Sequence, residues 1–172
     1  MKEPSVHVPR TFKLGLPLQI VFPLIWGTFV ALSIYGWATA QVTIGIPALL
    51  ALGLLVNLWW IRTVRLELTQ AGFTFRSGLY ARSLDWADVD AISFRDNYWA
   101  TSQGAGGDLA MIVWSNNASK KTIKMNRMYF SKYDLRDFVL TAMVCVPRLK
   151  LDPAIVRTLE KMGAPAAKQI VH

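Results

Sequence analysis

The most constraining feature of this sequence is a long run without a single charged side chain. From Leu14 to Ile61, 48 consecutive residues include no Asp, Glu, Lys, Arg or His. The helices of a soluble domain need a polar face toward water, which such a run does not provide. One membrane crossing takes about 20 apolar residues, so the run is long enough for two crossings and too short for three. A cleaved signal peptide has an apolar core of only roughly 7–15 residues. We therefore predict a two-helix transmembrane hairpin over residues 14–61.

The bounds of the two predicted spans follow from proline and from polarity. The first span is expected from about Leu16 to Trp37 and the second over roughly 46–61, with a proline near the start of each. Proline suits the first turn of a helix because its missing N–H would have no intrahelical partner there. The segment 38–45 is the most polar part of the run and is the predicted turn.

Aromatic side chains mark the predicted membrane interfaces. Tyr35 and Trp37 fall at one end of the hairpin, and Trp59 and Trp60 fall at the other. Tyrosine and tryptophan favour the headgroup level because one part of the ring system is polar and the rest is apolar. Trp26 lies in the middle of the first span, and we expect it to pack between the helices.

Basic residues set the predicted orientation. Arg10 and Lys13 precede the first span, Arg62 and Arg65 follow the second, and the turn has no charge. Positive charge close to the ends of spans is retained in the cytoplasm. We expect an inner-membrane protein with both termini and the soluble domain in the cytoplasm.

The pattern beyond residue 61 predicts a small, mostly β domain. Apolar residues alternate from Val64 to Leu68, which is typical of a half-buried strand. Further strands are expected around 73–76, 80–84, 91–94, 109–114 and 121–125, with a short seventh over 128–130. A helix with a three- and four-residue apolar repeat then follows, capped by Ser131 and stopped by Pro147. The predicted organisation is a lead with little structure (1–13), the hairpin (14–61), the domain (62–147), and a short helix and loose tail (148–172).

The first strands of this domain resemble those of bacterial pleckstrin-homology (PH) domain proteins. The resemblance covers roughly residues 62–147 and depends on a glycine-containing strand–turn–strand, a tryptophan-plus-acid step and the strand after it. The matching residues are Leu66, Gly72, Phe73, Gly78, Leu84, Trp86, Val89 and Ile92. It implies a fold class of a membrane α-hairpin plus a PH-like barrel closed by a C-terminal helix. It implies no catalytic signature, because these positions are explained by packing and, for the two glycines, by turns with positive φ.

Residues that carry chemistry are few. The two histidines, His7 and His172, lie near the chain ends, so neither a histidine-based catalytic relay nor a zinc site is expected. Cys145 is the only cysteine and is expected to be a buried structural thiol. The glycines at 104–107 precede a predicted strand, whereas a phosphate loop precedes a helix. We therefore expect no enzyme activity, no cofactor and no small-molecule substrate.

Two features indicate interaction surfaces instead. The net charge is +8, and the candidate lipid or partner contacts are basic residues together with one aromatic pair, Tyr98 and Trp99. The basic candidates are Arg62, Arg65, Arg76, Arg82, Lys120, Lys121, Lys124 and Arg127. Two hypotheses stay open at this point. The domain binds a partner protein, as an accessory or assembly subunit of a membrane complex or as a homo-oligomer, or it binds anionic lipid headgroups. Nucleic acid is not an expected partner.

Overall fold

The computed structural model of the protein describes residues 9–95, 110–117, 119 and 122–163. Two long helices come near the start of the chain, and strands and two shorter helices follow. The strands are β1 (Arg10–Lys13), β2 (Arg65–Leu68), β3 (Gly72–Ser77), β4 (Tyr80–Asp85), β5 (Val89–Arg95), β6 (Ala110–Ser115), β7 (Ile123–Asn126) and β8 (Lys150–Leu151). The helices are α1 (Leu16–Ala38), α2 (Gly45–Thr63), α3 (Lys132–Cys145) and α4 (Pro153–Lys161).

The two long helices form an antiparallel hairpin that matches the predicted spans. At 1.5 Å per residue, 23 and 19 residues give lengths of about 34 and 28 Å, close to the thickness of the hydrocarbon core. Both helices are long and apolar enough to cross a membrane, and almost all of their large apolar side chains are exposed. The residues buried along them are Ser33, Gly36 and Pro47. A soluble core helix of this composition would be buried. The prediction that Trp26 packs between the helices is confirmed, since its ring lies against Gly53, where an added Cβ would be 2.7 Å from Cζ3.

The first sheet has the order β1-β2-β3-β4 and is antiparallel throughout. Its first strand was not predicted. The expectation of a lead with little structure is wrong for residues 10–13, because Arg10–Lys13 pair with β2 from Leu68 to Arg65. Phe12 is buried in the core, and Arg10 Nη1 lies 3.0 Å from Asp137 Oδ2 on α3. The hairpin is therefore the connection between two neighbouring strands of one sheet, and the domain begins before the hairpin.

The second sheet has the order β7-β6-β5-β8, with β8 parallel to β5. The strand predicted over residues 128–130 is wrong. Residues Arg127–Tyr129 form a 3₁₀ turn because the Asn126 side chain accepts a hydrogen bond from the Met128 backbone N–H at 2.9 Å. Within the described residues the two sheets stay separate, so the expected barrel is not closed. What is present is a pair of sheets followed by α3 and α4.

Helix α3 covers the core between the sheets. Ser131 caps it as predicted, through a reciprocal pair of hydrogen bonds with Asp134, each 3.1 Å long. Phe138 of α3 packs against Phe73 and Trp86, at centroid distances of 5.2 and 6.3 Å. The Trp86 indole N–H also donates to the Thr69 carbonyl at 3.0 Å, which satisfies its polar atom. The predicted structural role of Trp86 in the core is consistent with this environment.

The two glycines singled out in the sequence serve different purposes. Gly78 has a φ of +60° in the turn between β3 and β4, as expected. Gly72 lies in β3 without a positive φ, so the expected reason is wrong there. It is needed because β4 runs too close for a side chain. An added Cβ would clash with the Leu84 carbonyl oxygen and lie 2.7 Å from the Asp85 Cα.

Candidate functional site

The hairpin and the first sheet meet in a packed junction, which we call the joint: Trp60, Thr63, Gly78 and Tyr129. The Trp60 ring lies edge-on to Tyr129, with centroids 5.4 Å apart, and an added Cβ on Gly78 would be 3.2 Å from Trp60 Cδ1. Thr63 Oγ1 accepts a hydrogen bond from the Gly78 backbone N–H at 3.0 Å. The last turn of α2 is thereby fixed to the β3–β4 turn.

The predicted interface aromatics do not share one environment. Tyr35, Trp37 and Trp59 are exposed, whereas Trp60 is half-buried in the joint. Trp60 therefore makes intramolecular packing contacts as well as lying close to the end of the predicted span.

Two of the basic candidates, Arg65 and Arg76, line up with Lys13 across one end of the first sheet. Lys13 on β1 is opposite Arg65 on β2, and Arg65 is opposite Arg76 on β3. Directly opposite residues share a face of the sheet, so these three cations form one row, which we call the basic row. It lies on the face opposite the core and beside the chain segments that enter and leave the hairpin. Arg65 Nε is 2.9 Å from Glu67 Oε1, so one carboxylate offsets part of this charge.

The remaining described basic candidates are dispersed. Arg62 is exposed in the last turn of α2, and Arg82 lies on β4 with its guanidinium carbon 5.6 Å from the centre of the Tyr80 ring. Lys124 is exposed on β7, in the other sheet. Arg127 stacks on Phe94 at 4.0 Å. Tyr98, Trp99, Lys120 and Lys121 lie outside the described residues.

An apolar groove of about 350 Å³ lies between the second sheet, α3 and α4. Its floor comes from core side chains, including Met111, Leu135 and Leu159. Arg127, Lys132 and Arg136 line it as well, and among the described residues no acidic side chain does. The sequence did not indicate this groove, because its walls come from segments that are far apart in the chain. The apolar pattern of each segment alone is typical of core packing.

The chemistry of the described residues is sparse. Cys145 is half-buried and not fully buried as expected, and this partial burial raises the pKa of its thiol, which favours the protonated form. In residues 9–95, 110–117, 119 and 122–163, no group of three or more His, Cys, Asp or Glu is arranged to hold a metal ion. The joint, the basic row and the groove are the features of the described residues from which we argue a function.

Comparison with known proteins adds no assignment. The chain matches no protein-family model, no curated protein and no solved structure at a significant level.

Proposed function

We propose that this chain is a non-catalytic, membrane-anchored interaction module that serves as an accessory or assembly subunit of a larger membrane complex. The hairpin crosses the inner membrane of a bacterial cell, and both termini and the soluble domain lie in the cytoplasm. The flanking cations Arg10, Lys13, Arg62 and Arg65 support this orientation, because the segment between α1 and α2 has no charge. The relation to PH-like domains belongs to the same proposal and is supported by the packing roles of Trp86 and Gly78.

The observation that carries this proposal is the position of the hairpin inside the first sheet. Because β1 and β2 pair directly, both helices connect to the same end of the first sheet, and only residues 14–15 and 64 lie between them and the strands. This short connection and the contacts of the joint together hold the domain at one distance from the bilayer and in one orientation relative to it. Such an arrangement suits a scaffold that presents a fixed surface to a neighbouring membrane protein.

The groove is the surface best suited to that neighbour. Its walls are apolar, and Lys132 and Arg136 lie at its edge on the first two turns of α3. Arg136 is partly neutralised by Asp137 at 3.0 Å, but Lys132 is exposed. We propose that a segment of the partner with apolar and acidic side chains occupies the groove, since its acidic groups would complement these cations.

Replacing Met128 by aspartate should weaken partner binding at least about tenfold, which corresponds to ~1.4 kcal/mol. Met128 lines the groove and is 57% exposed, so the change leaves the core intact and places a charge on the apolar wall. The measurement is site-specific photo-cross-linking from position 128 in native membranes. It is followed by identification of the cross-linked chain and titration of the purified pair.

Val144→Asp is the matched control. Val144 on α3 is 58% exposed and does not line the groove, so this variant should bind the identified partner as the original chain does. If position 128 cross-links no more than position 144, the groove is not the binding surface. A cross-link only to a second copy of this chain would favour a homo-oligomer over an accessory subunit.

A second candidate function, binding of anionic lipid headgroups, is favoured by the basic row. Like charges directly opposite one another destabilise a sheet, and three of them in register call for a compensating negative charge. Glu67 supplies one. Each Lys or Arg beside an anionic surface contributes about 1 kcal/mol of attraction, so lipid phosphates next to the hairpin would supply the rest.

Reversing two charges of the row, with Lys13→Glu and Arg76→Glu together, should reduce the preference for anionic lipid at least about tenfold. The preference is measured as the ratio of phosphatidylglycerol to phosphatidylcholine retained by the full chain from mixed micelles, and it should fall with salt. Lys161→Glu, an exposed cation at the end of α4, is the control and should change nothing. An unchanged ratio in the double variant would contradict lipid binding by the basic row.

A further inference from the structure

The turn between β3 and β4 exposes a leucine at its tip. Leu79 is 94% exposed, the largest value among the big apolar side chains of the described residues. The next highest, 69%, belongs to Leu49 in α2, a residue whose environment is expected to be lipid. A leucine exposed to this degree has almost no contact with the rest of the protein, so its own domain gives no reason for an apolar side chain there.

The height of this turn is set by the joint. Gly78, the residue before Leu79, donates its backbone N–H to Thr63 Oγ1 and lies against Trp60. Thr63 is the last residue of α2, and Trp60 is one turn earlier. The tip of the turn is therefore held beside the last turn of the membrane helix, at the depth where hydrocarbon gives way to headgroups.

The residues around the tip suit an interfacial position. Tyr80 follows Leu79 and is exposed, and tyrosine favours the headgroup level. Arg76 and Arg82 lie on the two strands of the turn, and no acidic residue occurs between Glu67 and Asp85. An apolar tip surrounded by cations is the composition of segments that insert shallowly into anionic bilayers.

We propose that the β3–β4 turn is a third membrane contact, in which Leu79 enters the acyl boundary of the cytoplasmic leaflet. This inference rests on the proposed membrane anchoring and adds a contact outside the hairpin. The bilayer is the occupant that the geometry selects, because the atoms that fix the turn belong to the end of the spanning helix. Together with the two spans, the turn gives three points of attachment, which prevent the domain from tilting on the membrane.

The test uses the full chain in phosphatidylglycerol–phosphatidylcholine vesicles, with an environment-sensitive fluorophore on single cysteines. Cys145→Ser removes the native thiol, and Leu79→Cys or Gln70→Cys supplies the labelling site. Gln70 is exposed in the turn at the opposite end of β3, about 20 Å away at 3.3 Å per residue. Because Leu79 has almost no intramolecular contacts, its replacement leaves the fold unchanged.

The label at position 79 should be quenched by lipid-attached nitroxides at least about threefold more than the label at position 70. Aqueous iodide should show the reverse order. Equal iodide quenching at both positions would overturn the proposal. A third label, at Leu55→Cys in α2, separates the two levels of inference. Lipid quenching at 55 without quenching at 79 rejects the third contact and leaves the anchor standing, whereas water exposure at 55 rejects both.

Discussion

Replacing Phe12 by alanine should destabilise the domain formed by the two sheets by about 3–5 kcal/mol, even though this residue precedes α1 and α2. Phe12 lies opposite Leu66, which in turn lies opposite Phe75, and all three are buried in the core. Truncation removes the apolar surface of a ring and leaves a cavity that the sheet cannot close. At about 4 °C or more per kcal/mol, the thermal midpoint of the full chain in detergent should fall by at least about 12 °C. The midpoint is followed by near-ultraviolet circular dichroism.

The adjacent residue provides the control. Thr11 is exposed on the opposite face of β1, so Thr11→Ala should cost less than about 1 kcal/mol, the span of intrinsic strand preference. If the two variants have the same thermal midpoint, residues 10–13 are not part of the domain core and the assignment of β1 is wrong.

Gly72→Ala should lower the free energy of unfolding by about 3 kcal/mol, a large effect for the addition of one methyl group. The new Cβ would meet the Leu84 carbonyl oxygen and the Asp85 Cα, which are backbone atoms of the paired strand and cannot rotate away. The strands would have to separate at the end where Trp86 packs on Phe73. We expect a lower midpoint and weaker protection of the β3 amides from hydrogen exchange.

Gly27→Ala is the matched control for this substitution. Gly27 lies in α1, and an added Cβ there has no atom within 4 Å. This variant should be at least as stable as the original chain, since alanine is the better helix former. Equal losses in both variants would show that the effect at Gly72 does not come from the close approach of β4.

Much of this architecture is readable from the sequence because its signals are local. The uncharged run gives the two long helices, and the alternation of Leu66 and Leu68 gives β2. The Ser131 cap and the Asp152 cap mark the starts of α3 and α4. Asp152 accepts a hydrogen bond from the Ala154 N–H at 2.8 Å. Each of these depends on neighbours a few residues apart, which is the range over which periodicity and capping act.

What the sequence does not reveal depends on pairing between distant segments. The four residues of β1 and the two of β8 are too short to show a period, and they are strands only because β2 and β5 lie beside them. The 3₁₀ turn at Arg127–Tyr129 cannot be distinguished from a strand in the sequence, because one asparagine side chain decides its geometry. The basic row likewise requires the register of three strands, which no single segment specifies.

The interruption of one sheet by the hairpin has a consequence for biosynthesis. β1 leaves the ribosome before either span, and its pairing partner β2 follows only after both. In the membrane topology proposed above, the two strands can meet only if they end on the same side of the bilayer, which requires an even number of crossings. A nascent chain in which one helix failed to insert would have Phe12 and Leu66 on opposite sides and could not complete its core. Correct translocation is thereby a precondition for folding, and a mis-inserted chain would present an unfinished sheet to cellular proteases.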